Sequence, residues 1–239
     1  MSKKRETRNI VALILIIILI MLLLCRDKIV QTINQTIHPK SSEVLQGEGS
    51  LLVAGQGHAL YYVFHAESGE KVDFTRTGSE MPLPAGKYKV TLQGVEKEVL
   101  IHRDEQYKLA CGTLLVNGIG KDLYEVYDKD GQVKLNFTST GQALEFFPGS
   151  YIVQLHGISQ NVTVFSGDTS VTNTGRLLVS GNASDLYYVF DQNGQDKLDF
   201  TRVDNEMELL PGSYVVKVQE RHMTAEVKPD EITELVFNN

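Results

Sequence analysis

Histidines are the side chains of this chain that would most readily hold a metal ion or transfer a proton at neutral pH. None recurs at a regular spacing, and no pair has zinc-motif spacing; they are His38, His58, His65, His102, His156 and His222. The fragment His65-Ala66-Glu67 is explained better by a polar turn than by a metal site. The chain also lacks the signatures of nucleophile-elbow hydrolases, zinc metalloproteases and P-loop proteins. We therefore predict a protein that is not an enzyme and that uses no cofactor or metal.

Two kinds of turn carry the remaining residues with ligand chemistry. Residues 128–131 (Asp-Lys-Asp-Gly), echoed at 191–194, resemble the start of a calcium loop, because calcium prefers oxygen ligands. Calcium needs about six ligands, however, and neither turn has a downstream bidentate glutamate at loop spacing. Residues 118–121 (Gly-Ile-Gly-Lys) resemble a phosphate loop but fall at a turn position that recurs in the chain. Both patterns are therefore interpreted as turns between strands.

A gapless repeat of 63 residues organises the chain from residue 47 onwards. A G-x-L-L-V segment, an L-Y-x-V-aromatic segment and a P-x-G-x-Y or P-G-x-Y corner each occur three times in the same order. Their first residues lie at 49, 112 and 175, at 60, 123 and 186, and at 84, 148 and 211. We predict three repeats with boundaries at 47–109, 110–172 and 173–239.

Within each repeat the apolar residues alternate with polar ones, which is typical of short β-strands joined by tight turns. In the strand after the first hairpin, the alternation predicts that Val72 and Phe74 share one face. Five or six strands and no helix signal predict an all-β fold of three small antiparallel β-sandwiches. A domain of this size buries only about 60% of its chain surface, so we expect the repeats to pack end to end or to share strands.

The L-Y-x-V-aromatic strand is apolar on both faces. One face is expected to fill the sandwich core, and the other either packs against a neighbouring repeat or offers a binding patch for a protein partner or a glycan. Repeat 2 has Glu125 in this second face, which indicates contact with water. The candidate partner-binding residues on this strand are Tyr62, Phe64, Tyr188 and Phe190.

The apolar strand, the hairpin and the L-x-P-G-x-Y-x-V-x-V run resemble PEGA-type and carboxypeptidase-regulatory-like β-sandwich modules. They are also similar to small repeats appended to bacterial von Willebrand A-type proteins. The resemblance covers each repeat, but the D-G…G-x-T-P stretch of PEGA modules and the D-x-S-x-S metal site of von Willebrand A domains are absent from the sequence. It implies a noncatalytic adhesion or scaffolding module in a bacterial envelope.

The N-terminal region contains an unbroken apolar run at 10–25, flanked by basic residues. The run is short for a span of about 20 residues, but the long side chains of Arg8 and Arg26 can extend it. A cleaved signal peptide or a lipoprotein signal is the alternative, although Leu24 stands where such signals need a small residue. We predict a single uncleaved transmembrane helix, with residues 1–9 in the cytoplasm and the repeats exported.

A stalk helix and linker are predicted at 26–46, with Pro39 ending the helix. One face of this helix is apolar, and it serves either as part of a simple spacer or as a docking stripe for a partner helix. The stripe consists of Ile29, Val30, Ile33 and Ile37.

The charge of the chain is divided unevenly. Residues 41–239 contain 16 basic and 28 acidic residues, a net charge of −12, so this part would repel nucleic acids. Cys25 and Cys111 lie far apart in sequence and imply no disulfide framework. Together these features predict an accessory subunit of a bacterial envelope complex, anchored in the cytoplasmic (inner) membrane and bound to a membrane or envelope protein. An adhesin-like, cell-wall-binding or glycan-binding module is the first alternative, and an enzyme with an unrecognised site is the second.

Overall fold

The structure is a computed structural model, and it describes residues 47–57 and 59–237. Every regular element in this part of the chain is a β-strand, and the 21 strands form six sheets. No helix among the described residues is long and apolar enough to cross a membrane. The predicted span and stalk stripe lie outside the described residues and stay predictions; they are residues 10–25 and Ile29, Val30, Ile33 and Ile37.

Each repeat contains seven strands, which is more than the five or six that the alternation predicts. In repeat 1 they are β1 Glu48–Ala54, β2 Leu60–His65, β3 Lys71–Arg76, β4 Glu80–Pro84, β5 Gly86–Leu92, β6 Val95–Ile101 and β7 Gln106–Ala110. Strand β4 escapes sequence prediction because it contains Pro82 and Pro84, which are tolerated only at a sheet edge. Strand β7 escapes it because the segment reads as the join to the next repeat.

Repeats 2 and 3 reproduce the same seven strands in the same order. In repeat 2 they are β8 Gly112–Asn117, β9 Leu123–Tyr127, β10 Lys134–Ser139, β11 Ala143–Phe146, β12 Gly149–Leu155, β13 Ile158–Val164 and β14 Thr169–Asn173. In repeat 3 they are β15 Gly175–Ser180, β16 Leu186–Phe190, β17 Lys197–Arg202, β18 Glu206–Leu209, β19 Gly212–Val218, β20 Arg221–Val227 and β21 Ile232–Val236. Strands β7 and β14 extend one residue beyond the predicted ends of their repeats.

Two sheets form each sandwich. In repeat 1 the smaller sheet has the order β4-β1-β7 and the larger sheet has the order β3-β2-β5-β6. The prediction of a purely antiparallel sandwich was wrong in one respect: β7 runs parallel to β1, as β14 does to β8 and β21 to β15. The chain crosses from one sheet to the other between β6 and β7, and such a crossover allows parallel pairing.

The core of each repeat lies between its two sheets. Tyr61 and Val63 of β2 are fully buried, as the alternation predicts. The corner motif places Tyr88 in the same core, where its hydroxyl donates to the Pro84 carbonyl oxygen at 2.8 Å. Tyr151 and Tyr214 make the same hydrogen bond to the residue four positions back. The corner tyrosine therefore contributes apolar area to the core without leaving its hydroxyl unpaired.

A β-bulge in the pairing of β2 with β3 places Phe74 on the outer face of the sheet. The register shifts between Val63 and Phe64, so that Phe64 lies opposite Lys71 and Tyr62 lies opposite Phe74. Val72 packs against the core, whereas Phe74 is 49% exposed on the outer face. The prediction that Val72 and Phe74 share a face was therefore wrong, because the bulge reverses the alternation within β3.

Candidate functional site

The turns with ligand-like sequences are held by their own side chains. Oδ1 of Asp128 accepts hydrogen bonds from the amides of Gln132, at 2.8 Å, and Val133, at 3.1 Å. Asp191 accepts the equivalent pair from the amides of Gln195 and Asp196. These carboxyl groups stabilise hairpin turns. Among the described residues, no group of three or more His, Cys, Asp or Glu side chains is placed to hold a metal ion.

The predicted partner-binding residues lie on the outer face of the four-stranded sheets. In repeat 1 the rings of Tyr62 and Phe74 stack with their centroids 5.7 Å apart. The Lys71 ammonium lies 4.6 Å from the Tyr62 centroid and 4.3 Å from the Phe74 centroid. Tyr62 and Phe64 are half-buried. The structure shows where these residues lie, and their role in binding a partner stays a prediction.

Repeat 3 carries the same cluster. Tyr188 and Phe200 stack at 5.7 Å, and the Lys197 ammonium lies 4.7 Å and 4.5 Å from the two rings. Phe190 is half-buried beside them, with the Lys217 ammonium 4.1 Å from its ring. Such cation–π contacts stabilise exposed aromatic rings by about 0.5–1 kcal/mol each.

Repeat 2 departs from this arrangement. Phe137 occupies the exposed phenylalanine position, at 54% exposure, and the Lys134 ammonium lies 5.0 Å from its ring. Glu125 replaces the stacked tyrosine and accepts hydrogen bonds from Lys134 and from the Tyr127 hydroxyl. Its hydrogen bond with Lys134 lowers the pKa of Glu125. The sheet face of repeat 2 therefore presents one exposed aromatic ring and a lysine whose charge is balanced by an ion pair with Glu125.

The outer sheet faces of repeats 1 and 3 are basic, although residues 41–239 as a whole are acidic. The strand register places four basic and two acidic side chains on the face of repeat 1, and three basic and one acidic on that of repeat 3, so each face has a net charge of +2. These residues are Lys71, Arg76, Lys87, Lys89, Glu96 and Glu98, and Lys197, Arg202, Lys217 and Glu226.

A buried carboxyl group joins repeat 1 to repeat 2. Glu145 of β11 is 1% exposed and reaches into the loop that follows β1. Its carboxyl oxygens accept hydrogen bonds from the amides of Gln56 and Ala59, the latter at 3.0 Å, and from the Thr77 hydroxyl. A Cβ on Gly55 would lie 2.7 Å from the Glu145 Oε1, so only glycine leaves room for this contact. We call this arrangement the first joint.

The second joint, between repeats 2 and 3, repeats the first. Glu208, also 1% exposed, accepts hydrogen bonds from the Ile119 amide and from the Thr140 hydroxyl, the latter at 2.5 Å. Gly118 leaves room for the carboxyl group as Gly55 does. The segment that resembles a phosphate loop is therefore an anion-accepting turn that the next repeat of the same chain fills.

Apolar side chains complete both joints. Phe147 of repeat 2 is buried in the core cluster of repeat 1, and Leu210 of repeat 3 is buried in that of repeat 2. Burying each side chain stabilises its joint by about 1.5–3 kcal/mol. Val95 packs against the clusters of repeats 1 and 2, and Ile158 against those of repeats 2 and 3. The prediction that the repeats pack end to end is confirmed by these contacts.

A polar pair distinguishes the two joints. In the first joint, the Asn136 amide donates to the side-chain oxygen of Gln93. In the second, His156 occupies the position of Gln93, and its Nδ1 pairs with Asp199. The Nε2 of His156 is buried and lies 3.5 Å from Asp122, which is a charge contact rather than a well-formed hydrogen bond.

Two carboxyl groups therefore flank one imidazole in the second joint. Burial lowers the pKa of His156, but Asp122 and then Asp199 outweigh burial and raise it above its ordinary value. Burial raises the pKa of Asp122, but His156 outweighs burial and lowers it. The charged form of the pair is thus favoured in the folded protein.

The end repeats lack half of a joint each. At the position of Glu145 and Glu208, repeat 1 has Pro82, and at the position of Thr77 and Thr140, repeat 3 has Val203. Sequence reasoning missed the joint residues, although the 63-residue alignment contains a signal: a glutamate alternates with apolar residues in repeats 2 and 3 only. A glutamate flanked by buried positions needs a partner, and the partner lies in the preceding repeat.

A cavity of 380 Å³ opens beside the first joint, and its lining includes Cys111, Thr113 and Glu145. Burial raises the pKa of the Cys111 thiol to about 12. A thiol with that pKa is almost entirely protonated at neutral pH and therefore a weak nucleophile.

No protein-family model matches the chain, and no curated protein is significantly similar to it in sequence. The resemblance to PEGA-type modules therefore stays a prediction. Among solved structures, the chain is similar to the Bacillus anthracis TIE protein, with 13% identity and a TM-score of 0.26, over 81% of this chain and 50% of the other. It thus spans about half the length of that protein.

Two further likenesses involve pilus proteins. The minor pilin GBS52 of Streptococcus agalactiae is 10% identical, with a TM-score of 0.21, over 81% of this chain and 95% of the pilin. The pilus adhesin SpaC of Lactobacillus rhamnosus GG is 8% identical, with a TM-score of 0.21, over 80% of this chain and 43% of the adhesin. At these TM-scores the likenesses say nothing about the function of this chain.

Proposed function

We propose that the chain is a noncatalytic protein of the bacterial cytoplasmic membrane that holds three joined β-sandwiches outside the cytoplasm. It serves as an accessory subunit of an envelope complex, with a single span at 10–25 as its anchor and the stalk stripe as a docking surface for a membrane partner. The PEGA-type resemblance belongs to this proposal, because it implies a scaffolding module in the envelope.

The observation that carries the proposal is the pair of joints. Each joint buries a carboxyl group and an apolar side chain of one repeat inside the preceding repeat. A binding protein whose domains moved independently would have no need to bury polar groups between them, since such groups are costly unless each is satisfied. The joints thus support a role in which the spacing of the repeats matters.

Topology and partnership can be tested together. In intact spheroplasts, we expect added protease to cleave the exported repeats, while a tag placed at residues 1–9 stays protected. Replacement of residues 1–38 by a cleavable signal should remove the partners recovered by affinity purification and mass spectrometry. Protection of the repeats would refute export, and unchanged partners would refute docking through the span and stalk.

The adhesin-like alternative gives a different result in the same experiment. A free-standing binder should keep its activity when residues 1–38 are replaced, because its binding surface would lie on the repeats. The exposed rings of Phe74, Phe137 and Phe200 favour this alternative, since large apolar side chains at one repeated surface position mark interaction sites.

A further inference from the structure

We propose that the sheet faces of repeats 1 and 3 bind an anionic polysaccharide. The two sites, here called the lysine–aromatic faces, consist of Tyr62, Lys71 and Phe74 in repeat 1 and of Tyr188, Lys197 and Phe200 in repeat 3. This inference goes beyond the proposed function, from which it takes only the export of the repeats, by naming a class of ligand for them.

The rings supply a flat apolar surface that water covers in the unbound protein. Phe74 and Phe200 are each 49% exposed, and each ring stacks beside a half-buried tyrosine. A pyranose ring has one face of C–H bonds and an edge of hydroxyl groups. It can therefore displace water from an exposed aromatic ring while its hydroxyl groups stay solvated or bind neighbouring polar side chains.

The charges indicate that the polymer is anionic. Each face has a net charge of +2 within an exported part of net charge −12. Among the described residues, neither Lys71 nor Lys197 forms an ion pair with a carboxyl group. Carboxylates or other acidic groups on a glycan can thus reach these ammonium groups without first breaking an internal ion pair.

The repetition indicates a polymer rather than a single small ligand. The same residue types recur at the same slot, 126 positions apart, in repeats that two buried joints connect. Sites held at a fixed spacing bind a chain of repeating units with an avidity greater than that of either site alone. Repeat 2 is expected to contribute least, because Glu125 replaces the tyrosine and neutralises Lys134.

The test uses the full-length chain in detergent micelles and biosensors coated with polygalacturonate, hyaluronan, neutral dextran or polyglutamate. We expect binding to the two anionic glycans, weakening as salt is raised, and little binding to dextran or polyglutamate. The double variant Phe74→Ser/Phe200→Ser should lose affinity by roughly tenfold or more. Glu125→Tyr, which copies the other two repeats, should gain affinity.

Phe165→Ser is the matched control, because Phe165 is 59% exposed but lies after β13, away from these faces. It should change affinity by less than about twofold. Failure to bind either anionic glycan, or equal loss in the control, would overturn the proposal. Equally tight binding of polyglutamate would also overturn it, because the sites would then recognise acidic polymers in general, including acidic proteins. Equally tight binding of dextran would overturn it because charge would then play no part in recognition. A cytoplasmic location would refute the proposed function but leave these binding results unchanged.

Discussion

Removal of the Glu145 carboxyl group tests whether the first joint holds the repeats together. In Glu145→Ala, the amides of Gln56 and Ala59 lose their carboxylate acceptor, and the Thr77 hydroxyl keeps only a 3.4 Å hydrogen bond to the Ala59 carbonyl oxygen. A buried donor without a partner costs about 1–3 kcal/mol, and water entering the adjacent cavity will recover part of that. We therefore expect the joint to lose about 2–4 kcal/mol.

Hydrogen exchange measures this loss directly. The amides of residues 55–59 should exchange roughly 30- to 700-fold faster in Glu145→Ala, since each 1.4 kcal/mol is a factor of ten. Peptide mass spectrometry of the full-length protein resolves this segment from the rest. Glu96→Ala is the matched control, because Glu96 is an exposed glutamate that lies 4.0 Å from the Lys89 ammonium. It should cost less than about 0.5 kcal/mol.

A double-mutant cycle separates the joint from nonspecific damage. Thr77→Val copies the residue that repeat 3 has in this position, Val203, and removes one of the Glu145 contacts. The stability lost in the double variant should differ by about 1–2 kcal/mol from the sum of the losses in Thr77→Val and Glu145→Ala. Strictly additive losses, or a loss in Glu145→Ala no larger than in the control, would show that the carboxyl group does not hold the joint.

Three further predictions concern the second joint, the buried thiol and a packed glycine. The pKa of His156 is raised and that of Asp122 is lowered in the folded protein, so we predict that the second joint is strongest between about pH 4 and about pH 6.5. The joint should weaken as the pH rises through the pKa of His156, which then loses its charge, and as the pH falls through the pKa of Asp122, which then becomes protonated. His156→Gln, which copies the first joint, should abolish the weakening at high pH, measured as the hydrogen-exchange protection of the second joint at each pH. If the variant weakened at high pH as the wild type does, His156 would be excluded as the cause. In a Cys25→Ser background, Cys111 should react with a thiol reagent only after the first joint opens, so labelling at the rate of a model thiol in the folded protein would contradict its burial. Gly112→Ala should destabilise repeat 2 by about 1–3 kcal/mol in denaturant unfolding, because a Cβ there would overlap a backbone carbonyl oxygen, and wild-type stability would contradict that clash.

The repeat and most of its strands could be predicted from the sequence because their signals are local. Alternation identifies the buried pair Tyr61 and Val63, and turn residues mark the hairpins. Strand β4 could not be predicted, because its two prolines argue against a strand unless its edge position is known. The outward position of Phe74 could not be predicted either, because it depends on a bulge that only the pairing of β2 with β3 defines.

The joints were missed for a different physical reason, because the one signal that they leave in the sequence appears only when the three repeats are compared. Glu145 and Thr77 are 68 residues apart, and each taken alone resembles an ordinary surface residue. Their burial follows from the way in which two folded sandwiches meet, and no strand or turn signal contains that information. The lysine–aromatic faces were only partly predicted: the sequence indicated Tyr62 and Tyr188 but put Phe74 on the same face as Val72.

The distribution of joint residues determines how a protein of this design can grow longer. The middle repeat has both Thr140, which receives the next repeat, and Glu145, which inserts into the previous one. A tandem duplication of residues 110–172 would therefore generate a new, fully bonded junction, whereas duplication of either end repeat would create a junction with Pro82 or Val203 in it. Longer versions should consequently arise by multiplication of the central unit, and their reach should increase in equal steps.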